Sequence, residues 1–206
     1  MKITIPKIYP VTDRHVSDLS HLEQVRRLIA GGASLIQLRD KSAEAAEFYR
    51  AATEVVDHAH RQGAKIIIND RADIALASGA DGVHLGQDDL SPILARELLG
   101  PASIIGFSTH SVEQAEAALK LPIDYLAIGP IFATSTKTDH DPLVGIEGLR
   151  SVRNSICNLP LVAIGGINRQ NAASVFEAGA DCVAVIRDVL SEPSKIEERI
   201  RELLRI

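Results

Sequence analysis

Short, almost unbroken apolar runs recur along the chain at 7–11, 35–38, 65–68, 82–85, 103–106, 125–128, 161–164 and 182–186. Continuous rather than alternating apolar character predicts strands covered on both faces, as in a parallel sheet. Between the runs, apolar positions fall at helical spacing. Phe48, Ala51, Ala52, Val55 and Ala59 form one stripe, and Ile196, Ile200, Leu203 and Leu204 form another. Ser91-Pro92 sets a cap residue before a proline at the first helical position, while Ser111 with Gln114 and Ser194 with Glu197 read as capping boxes. Gly32-Ala33-Ser34, Gly79-Ala80-Asp81 and Gly179-Ala180-Asp181 each precede a strand, where glycine suits a left-handed helix stop.

Eight strands and about eight helices, at roughly 25 residues per unit, predict an α/β chain folded as a single (β/α)8 TIM barrel over residues 1–206. No Ser/Gly-rich linker or composition shift marks a second domain. The rival is an open doubly wound sheet. It would carry a Gly-rich fingerprint after its first strand and polar residues at one switch point, whereas here polar residues follow every strand.

Composition narrows the function. The chain is 46% apolar, enough for a sizeable core, and 27 acidic against 22 basic residues leave a net charge of −5. That balance disfavours nucleic acid and anionic membranes as partners, so any anionic ligand must be held by a local site. Aromatic residues are 3% of the chain, too few for base-stacking platforms, and the apolar runs are too short to span a bilayer. Cys157 and Cys182 lack metal-ligand or disulfide spacing and read as small apolar fillers in a reduced compartment. The opening MKITIPKIYP has no signal-peptide core, so a cytoplasmic protein is expected. A homo-oligomer is compatible with this reading and not required by it.

The candidate chemistry sits after the strands. In chain order the strand ends supply Thr12-Asp13-Arg14, Gln37 with Arg39 and Lys41, Asn69-Asp70, and His84 with Gln87, Asp88 and Asp89. Ser108 and His110, residues 134–137, Gly165-Gly166 and Arg187 follow. In a barrel all these ends surround one mouth, and the strand starts show no comparable set. Arg39, Lys41 and Lys137, with Arg14 or Arg187 as further members, form a cationic group expected to repel itself unless an anion such as a phosphorylated ligand is bound. The bland reading pairs Arg39 and Lys41 with Asp40 or Asp70.

Asp70 and Asp89 follow adjacent strands, and two carboxylates with phosphate oxygens and water are a usual Mg²⁺ arrangement. Against that, Asp70 would pair with Arg71, and Asp88 or Asp89 would cap the helix near Ser91. Gly165-Gly166 lets backbone N–H groups approach an oxyanion, or marks a turn. The segment from Gly129 to Lys137 joins apolar residues to Thr134, Ser135, Thr136 and a cation, as a substrate loop would. His84 reads as a packed core residue. His110 is either a proton carrier or a residue orienting the Ser108 loop.

These motifs resemble the thiamine-phosphate synthase family along nearly the whole chain. They comprise Tyr9-Pro10-Val11-Thr12-Asp13, Gln37-Leu38-Arg39-Asp40-Lys41, Asn69-Asp70, and the run from Ala80 to Asp89. Gly106-Phe107-Ser108-Thr109-His110, Gly129-Pro130-Ile131-Phe132 with residues 134–137, and residues 163–167 complete the set. The resemblance implies coupling of 4-amino-2-methyl-5-hydroxymethylpyrimidine diphosphate to a thiazole phosphate, with release of pyrophosphate. It implies that Gln37, Arg39, Lys41, Asn69, Ser108 and Lys137 bind the pyrimidine diphosphate, with Asp40 and His110 beside them, and that Asp70 and Asp89 hold Mg²⁺. Thr134, Ser135, Thr136, Gly165, Gly166, Ile186 and the position of Arg187 would receive the thiazole phosphate. Arg39, Lys41 and Lys137 would neutralise the departing diphosphate, and no general base is needed because the attacking thiazole nitrogen carries no proton.

Two departures stand out: Arg187 occupies a place usually held by a small residue, and Asp40 one where glutamate is frequent. A thiazole tautomerase of the sister family, working through His110, and a non-catalytic sensor of thiamine precursors are the rivals. Lys137→Ala is expected to slow coupling more than it weakens thiazole phosphate binding. Unchanged turnover in a steady-state assay would remove Lys137 from the mechanism.

Overall fold

The computed structural model describes residues 4–134 and 142–206. Eight strands, β1 (Ile8–Pro10), β2 (Leu35–Leu38), β3 (Lys65–Asn69), β4 (Gly82–Leu85), β5 (Ile104–Thr109), β6 (Tyr125–Ile128), β7 (Leu161–Ile164) and β8 (Cys182–Val185), form one sheet in the order β1-β8-β7-β6-β5-β4-β3-β2. Every neighbouring pair is parallel. The outer strands of that order meet through a parallel bridge between Val11 and Gln37, reinforced by the Thr12 N–H donating to the Gln37 carbonyl at 2.9 Å. The sheet is thereby closed into the expected (β/α)8 barrel. All eight predicted runs are strands. Only β5 differs materially, running on through Ser108 and Thr109, which pair with Ala127 and Ile128 of β6. Their hydroxyls cost the ladder nothing, since Thr109 Oγ1 donates to the Ala127 carbonyl at 3.0 Å.

Helices α1 (Arg14–Ser17), α2 (His21–Ala30), α3 (Ala45–Arg61), α4 (Ala72–Ser78), α5 (Pro92–Leu99), α6 (Val112–Ala118), α7 (Gly145–Ile156), α8 (Ala172–Glu177), α9 (Arg187–Leu190) and α10 (Ile196–Leu203) surround the barrel. Outward strand residues such as Ile36, Leu38, Ile66, Ile68, Val83 and Leu85 pack against Phe48, Val55 and their helical equivalents. Inward residues, among them Tyr9, Leu35, Ile67, Tyr125, Val162 and Cys182, fill the interior. This division explains the unbroken apolar runs: each strand buries both faces.

Ser91 and Ser111 cap as expected, accepting from the Leu94 and Gln114 amides at 3.3 and 3.2 Å. The Ser194–Glu197 box does not form. Residues Pro193–Lys195 make a 3-10 turn, α10 begins at Ile196 without a side-chain cap, and Glu197 instead meets Arg201 at 2.9 Å. Cys182 is buried as a filler. Cys157 is not: it ends α7 exposed, with φ +51°.

The strand starts also carry a polar set, contrary to expectation. Asp81, Asp124 and Asp181 stand just before β4, β6 and β8. Each accepts the first interior amide of the preceding strand: Ile66 at 2.8 Å, Ile105 at 2.7 Å and Leu161 at 2.8 Å. Each also meets a basic side chain of the helix that leads into that preceding strand, His60 of α3 at 3.0 Å, Arg96 of α5 at 2.7 Å and Arg153 of α7 at 2.5 Å. These latches tie alternate units together and explain why aspartate ends two of the Gly-Ala-Asp phrases.

Inside the barrel, Gly106 faces the ring of Tyr125, and a Cβ at position 106 would lie 2.0 Å from its Cζ. The strand needs glycine because the tyrosine occupies its side-chain space. Gly106→Ala is therefore expected to lower stability by about 2 kcal/mol or more, the upper range for core overpacking. Urea denaturation checks this, and an unchanged midpoint would show the interior to be looser than described.

Candidate active site

All eight strands run the same way, so their C-terminal ends share one rim, and hydrogen bonds link each loop to the next. From β1, the Asp13 carboxylate caps α1 and accepts from Arg39 of the β2 loop at 2.9 Å. Lys41 of the same loop reaches Asp70, after β3, at 2.5 Å. Asp70 lies beside Asp89, after β4, close enough for the two carboxyls to perturb each other. Gln87 Nε2 donates to the Ser108 carbonyl of β5 at 2.5 Å, and His110 Nδ1–H donates to the Gly129 carbonyl after β6 at 2.7 Å. The Phe132 amide then meets the Gly165 carbonyl after β7 at 3.0 Å, and Arg169 meets Asp188 of α9 at 3.0 Å.

This arrangement corrects the idea that the cations repel each other until an anion arrives. Arg39 and Lys41 each already face a carboxylate, Asp13 and Asp70, so the rim is locally neutral at those two points. Any anion reaching these side chains would compete with Asp13 and Asp70 rather than relieve a repulsion. Arg14 is turned elsewhere, to Glu47 at 2.7 Å and Asp40 at 3.6 Å. Neither structural reading of the acids holds either. Arg71 pairs with Asp73, and α5 is capped by Ser91 itself.

Asp40 is held inward with its side chain 3% exposed. One oxygen accepts from the Ser42 amide, the Ser42 hydroxyl and the Ala43 amide at 2.9–3.0 Å, and the other meets His21 Nε2 at 3.0 Å. Burial alone would raise this carboxyl. The hydrogen bonds outweigh it and hold the group at about 2. His21 is pushed the opposite way, below its ordinary value, because burial outweighs the attraction of Asp40. Its Nδ1 lies 3.0 Å from Thr12 Oγ1, which in turn accepts the Arg39 amide at 3.1 Å. This chain of contacts fixes the backbone from which Arg39 and Lys41 project.

Gln37 and Asn69 are buried on the inner faces of β2 and β3, and Ser108 sits half-buried on β5 with its hydroxyl 2.8 Å from His84 Nε2. Gly165 and Gly166 have φ of +105° and +62°, and added Cβ atoms would meet Pro130 Cα and the Ala133 carbonyl at 2.6 Å. Packing of the loops after β6 and β7 thus accounts for both glycines. Ile186 and Arg187 open α9. Thr134 is the last described residue before the gap, and Ser135, Thr136 and Lys137 lie outside the described residues. A cleft of about 430 Å³ lies to one side, lined by Arg14, His15, Asp18 and Ser20, and shares little with the strand ends.

Among the described residues no three metal-ligating side chains cluster. Mg²⁺ needs no such cage, since it keeps waters and takes one or two carboxylates beside substrate phosphates. Asp70 and Asp89 fit that demand. Burial first, and then the Asp70 charge, raise the Asp89 carboxyl, against the opposing Gly86 amide at 2.7 Å. A divalent cation between the two acids would relieve that repulsion. Asp70 itself has φ +62°, which aims its side chain across at Lys41.

Sequence reasoning missed His21, an ordinary polar residue beginning an amphipathic helix, for which no local signal exists. It also passed over Tyr9 and Tyr125, although a hydroxyl inside an otherwise aliphatic strand marks a polar interior.

A closed parallel barrel with basic, acidic and amide side chains gathered on its C-terminal rim has the layout of an enzyme barrel, whose chemistry is carried at that face. The description "thiamine monophosphate synthase" fits residues 8–189 as a family match. Thiamine-phosphate synthase of Koribacter versatilis is 45% identical over 99% of this chain and 97% of its own, and that of Syntrophomonas wolfei is 47% identical over 97% and 95%. The solved thiamine phosphate pyrophosphorylase from Pyrococcus furiosus superposes with a TM-score of 0.87 at 38% identity, covering 97% of this chain and 94% of that one. A tryptophan synthase α-subunit structure from the same organism, at 16% identity and TM-score 0.69, shares the fold alone. The chain belongs to the thiamine monophosphate synthase family and is an enzyme of the transferase class.

The depressed Asp40 carboxyl makes a prediction about acid stability. Its ionised form is favoured by the fold, so its contribution is complete above pH 4 and is lost as pH falls through about 2. Wild-type protein should lose roughly 2 kcal/mol from this group over that interval. Asp40→Asn should lack this component, so that parallel pH-denaturation slopes for the two proteins would refute the assignment.

Proposed function

We propose that this enzyme joins 4-amino-2-methyl-5-hydroxymethylpyrimidine diphosphate to a thiazole phosphate, giving thiamine phosphate and pyrophosphate. The observation that carries the reading is the Lys41–Asp70–Asp89 constellation at one rim, beside Arg39, in a chain of this family. It unites a cation able to meet a diphosphate with a carboxylate pair suited to Mg²⁺.

Lys41 and Arg39 exchange their carboxylate partners for diphosphate oxygens as the first substrate binds. Bound at Asp70 and Asp89, Mg²⁺ would supply neutralising charge for the departing pyrophosphate. Lys41 and Arg39, on the neighbouring β2 loop, stabilise the same developing charge, with Lys137 as the third cation. Asn69, Gln37 and Ser108 line the floor and orient the pyrimidine. Loss of pyrophosphate leaves an electron-rich pyrimidine methyl cation, which the thiazole nitrogen attacks without a base. The thiazole phosphate is received by the segment at residues 134–136, Gly165, Gly166, Ile186 and Arg187, where the loops after β7 and β8 commonly bind phosphate in barrels of this kind. His110 donates through Nδ1 to the Gly129 carbonyl, which ties the β5 loop to the base of that segment.

Among the described residues no helix is long and apolar enough to cross a membrane. We assign the enzyme to the cytoplasm, with small phosphorylated molecules as its partners.

Purified protein given both substrates and Mg²⁺ is expected to release one pyrophosphate per thiamine phosphate formed, and a chelator should stop it. Asp70→Asn should slow coupling roughly 100-fold, the cost of losing one electrostatic group at a departing charge. Thiazole tautomerisation in chelator without coupling would assign the chain to the sister activity, and ligand binding with neither reaction would make it a sensor.

A further inference from the structure

The loop after β7 and the one-turn helix α9 after β8 are joined by a closed set of contacts. Asn171 Nδ2 donates to the Gly166 carbonyl at 3.0 Å, while its Oδ1 accepts the Asn168 amide at 2.8 Å. The Asn168 side-chain oxygen accepts in turn from the Gln170 and Asn171 amides at 2.8 and 3.2 Å. Residues 166–171 thereby form a self-braced turn in which a shift at one residue is passed to the others. Within it, Arg169 gives both its backbone amide and Nε to one Asp188 carboxylate oxygen, at 3.2 and 3.0 Å. Its Nη1 donates to Glu202 of α10 at 2.5 Å. Asp188 belongs to the first turn of α9, and its side chain is 14% exposed.

Helix α9 has four residues and no side-chain cap. So short a helix does not hold its own shape, because a first turn fixes more dihedrals than its hydrogen bond repays. Its place is imposed from outside at both ends. At the start the contact is Arg169 with Asp188. At the end Arg199 of α10 donates through Nη1 to the Asp188 carbonyl at 2.8 Å and to Ser191 Oγ at 3.0 Å, and its Nη2 meets Glu192. Arg199 is 6% exposed, and its Nε is the one buried side-chain polar atom among the described residues without a hydrogen-bond partner. An unsatisfied buried donor opposes folding, so the clamp on α9 persists against a penalty. Asp188 is shared by the two clamps, its carboxylate held by the β7 loop and its carbonyl by α10. The latches at Asp81, Asp124 and Asp181 fasten the pole remote from the mouth. The Arg169–Asp188 latch lies on the mouth side, three residues past Gly166 and one past Arg187.

We propose that Arg169 and Asp188 are positioning residues that set the spacing between the Gly165-Gly166 loop and the Ile186-Arg187 turn, and so shape the receptor for the phosphate of the second substrate. This rests on the function proposed above, in which those four residues receive the thiazole phosphate. Glycine loops meet phosphate with backbone groups, which cannot reach further when the chain shifts, so their spacing decides how well the anion is held. Arg169 does not itself bind the phosphate, because its guanidinium is committed to Asp188 and Glu202. The same contact offsets the Asp188 charge, which would otherwise repel an incoming dianion. A direct role for Arg169 carries the opposite sign. Removing Asp188 would then release the guanidinium to the phosphate and tighten binding, whereas removing a spacer loosens it.

The test measures steady-state coupling by wild type, Asp188→Ala, Arg169→Ala and the double variant, with thermal melting of each. Asp188→Ala is expected to raise KM for the thiazole phosphate about tenfold, the worth of one hydrogen bond to a charged group. KM for the pyrimidine diphosphate and kcat should both stay within about twofold, the pattern of lost ground-state binding at one substrate. Arg169→Ala should raise the same KM by about threefold, because its backbone amide still reaches Asp188. Added to Asp188→Ala, it should change that KM by less than about twofold, since the two residues act as one link. A thiazole phosphate KM that falls or stays unchanged in folded Asp188→Ala overturns the positioning role. An equal rise in both KM values, or multiplicative effects in the double variant, overturns it as well. Should Asp188→Ala melt early, Arg169→Ala decides by the same split between the two KM values, and collapse of both makes the latch a support of the fold and refutes the proposal. No pyrophosphate release by the wild type from the two natural substrates removes the proposed function, and this inference with it.

Discussion

Closure of the parallel sheet is the constraint from which the rest of the molecule follows. Residues 11 and 12 of the first unit pair with Gln37 of the second through one bridge and one amide. Without that join the sheet would be open, with β1 and β2 at opposite edges, and Asp13 would not meet Arg39. With it, side chains separated by more than a hundred residues face one another, because parallel strands in a closed ring bring all their ends to the same side. The Tyr9–Tyr125 contact across the interior depends on the same closure, spanning 116 positions of sequence.

The rim is better described as a ring of exchangeable pairs than as a positive pocket. Arg39 with Asp13 is mostly shielded, at 14% and 9% side-chain exposure, and therefore holds its partner well. Lys41 with Asp70 is open, at 57% and 20%, so water screens it and its partner is readily replaced. Under the proposed function, a ligand phosphate would gain Lys41 more easily than Arg39. The same event would free Asp70 to face Asp89, and so would couple arrival of the anion to assembly of the proposed acidic pair. The Asp40–His21–Thr12 network stays outside this exchange, and its carboxyl is committed to the backbone at residues 42 and 43.

Much of the barrel was legible because the fold buries both faces of every strand, leaving continuous apolar runs that helices cannot imitate at that length. The gathering of the described polar residues at one rim was legible for the related reason that polar side chains directly after such runs have only the rim to occupy. Pairing was not legible. Whether Arg39 chooses Asp13 or Asp40 is decided by the path of a loop, and nothing in the local residue pattern encodes it. The strand-start aspartates were overlooked because an acid before a strand looks like a turn residue until the amide it accepts, fifteen to twenty positions away, is seen. Gly165 and Gly166 show the opposite error: residues read as a cradle for phosphate are first required by neighbouring chain, since loop meets loop where their side chains would be.

Those aspartate latches have a consequence for how such a molecule can change over time. They fasten β3 to β4, β5 to β6 and β7 to β8 at the end remote from the mouth, each with a base from the helix that precedes the pair. Architecture is secured at one pole and chemistry is written at the other, so drift in the catalytic loops leaves the scaffold's fastenings untouched. A barrel organised in this way can acquire a new reaction without first relearning how to fold.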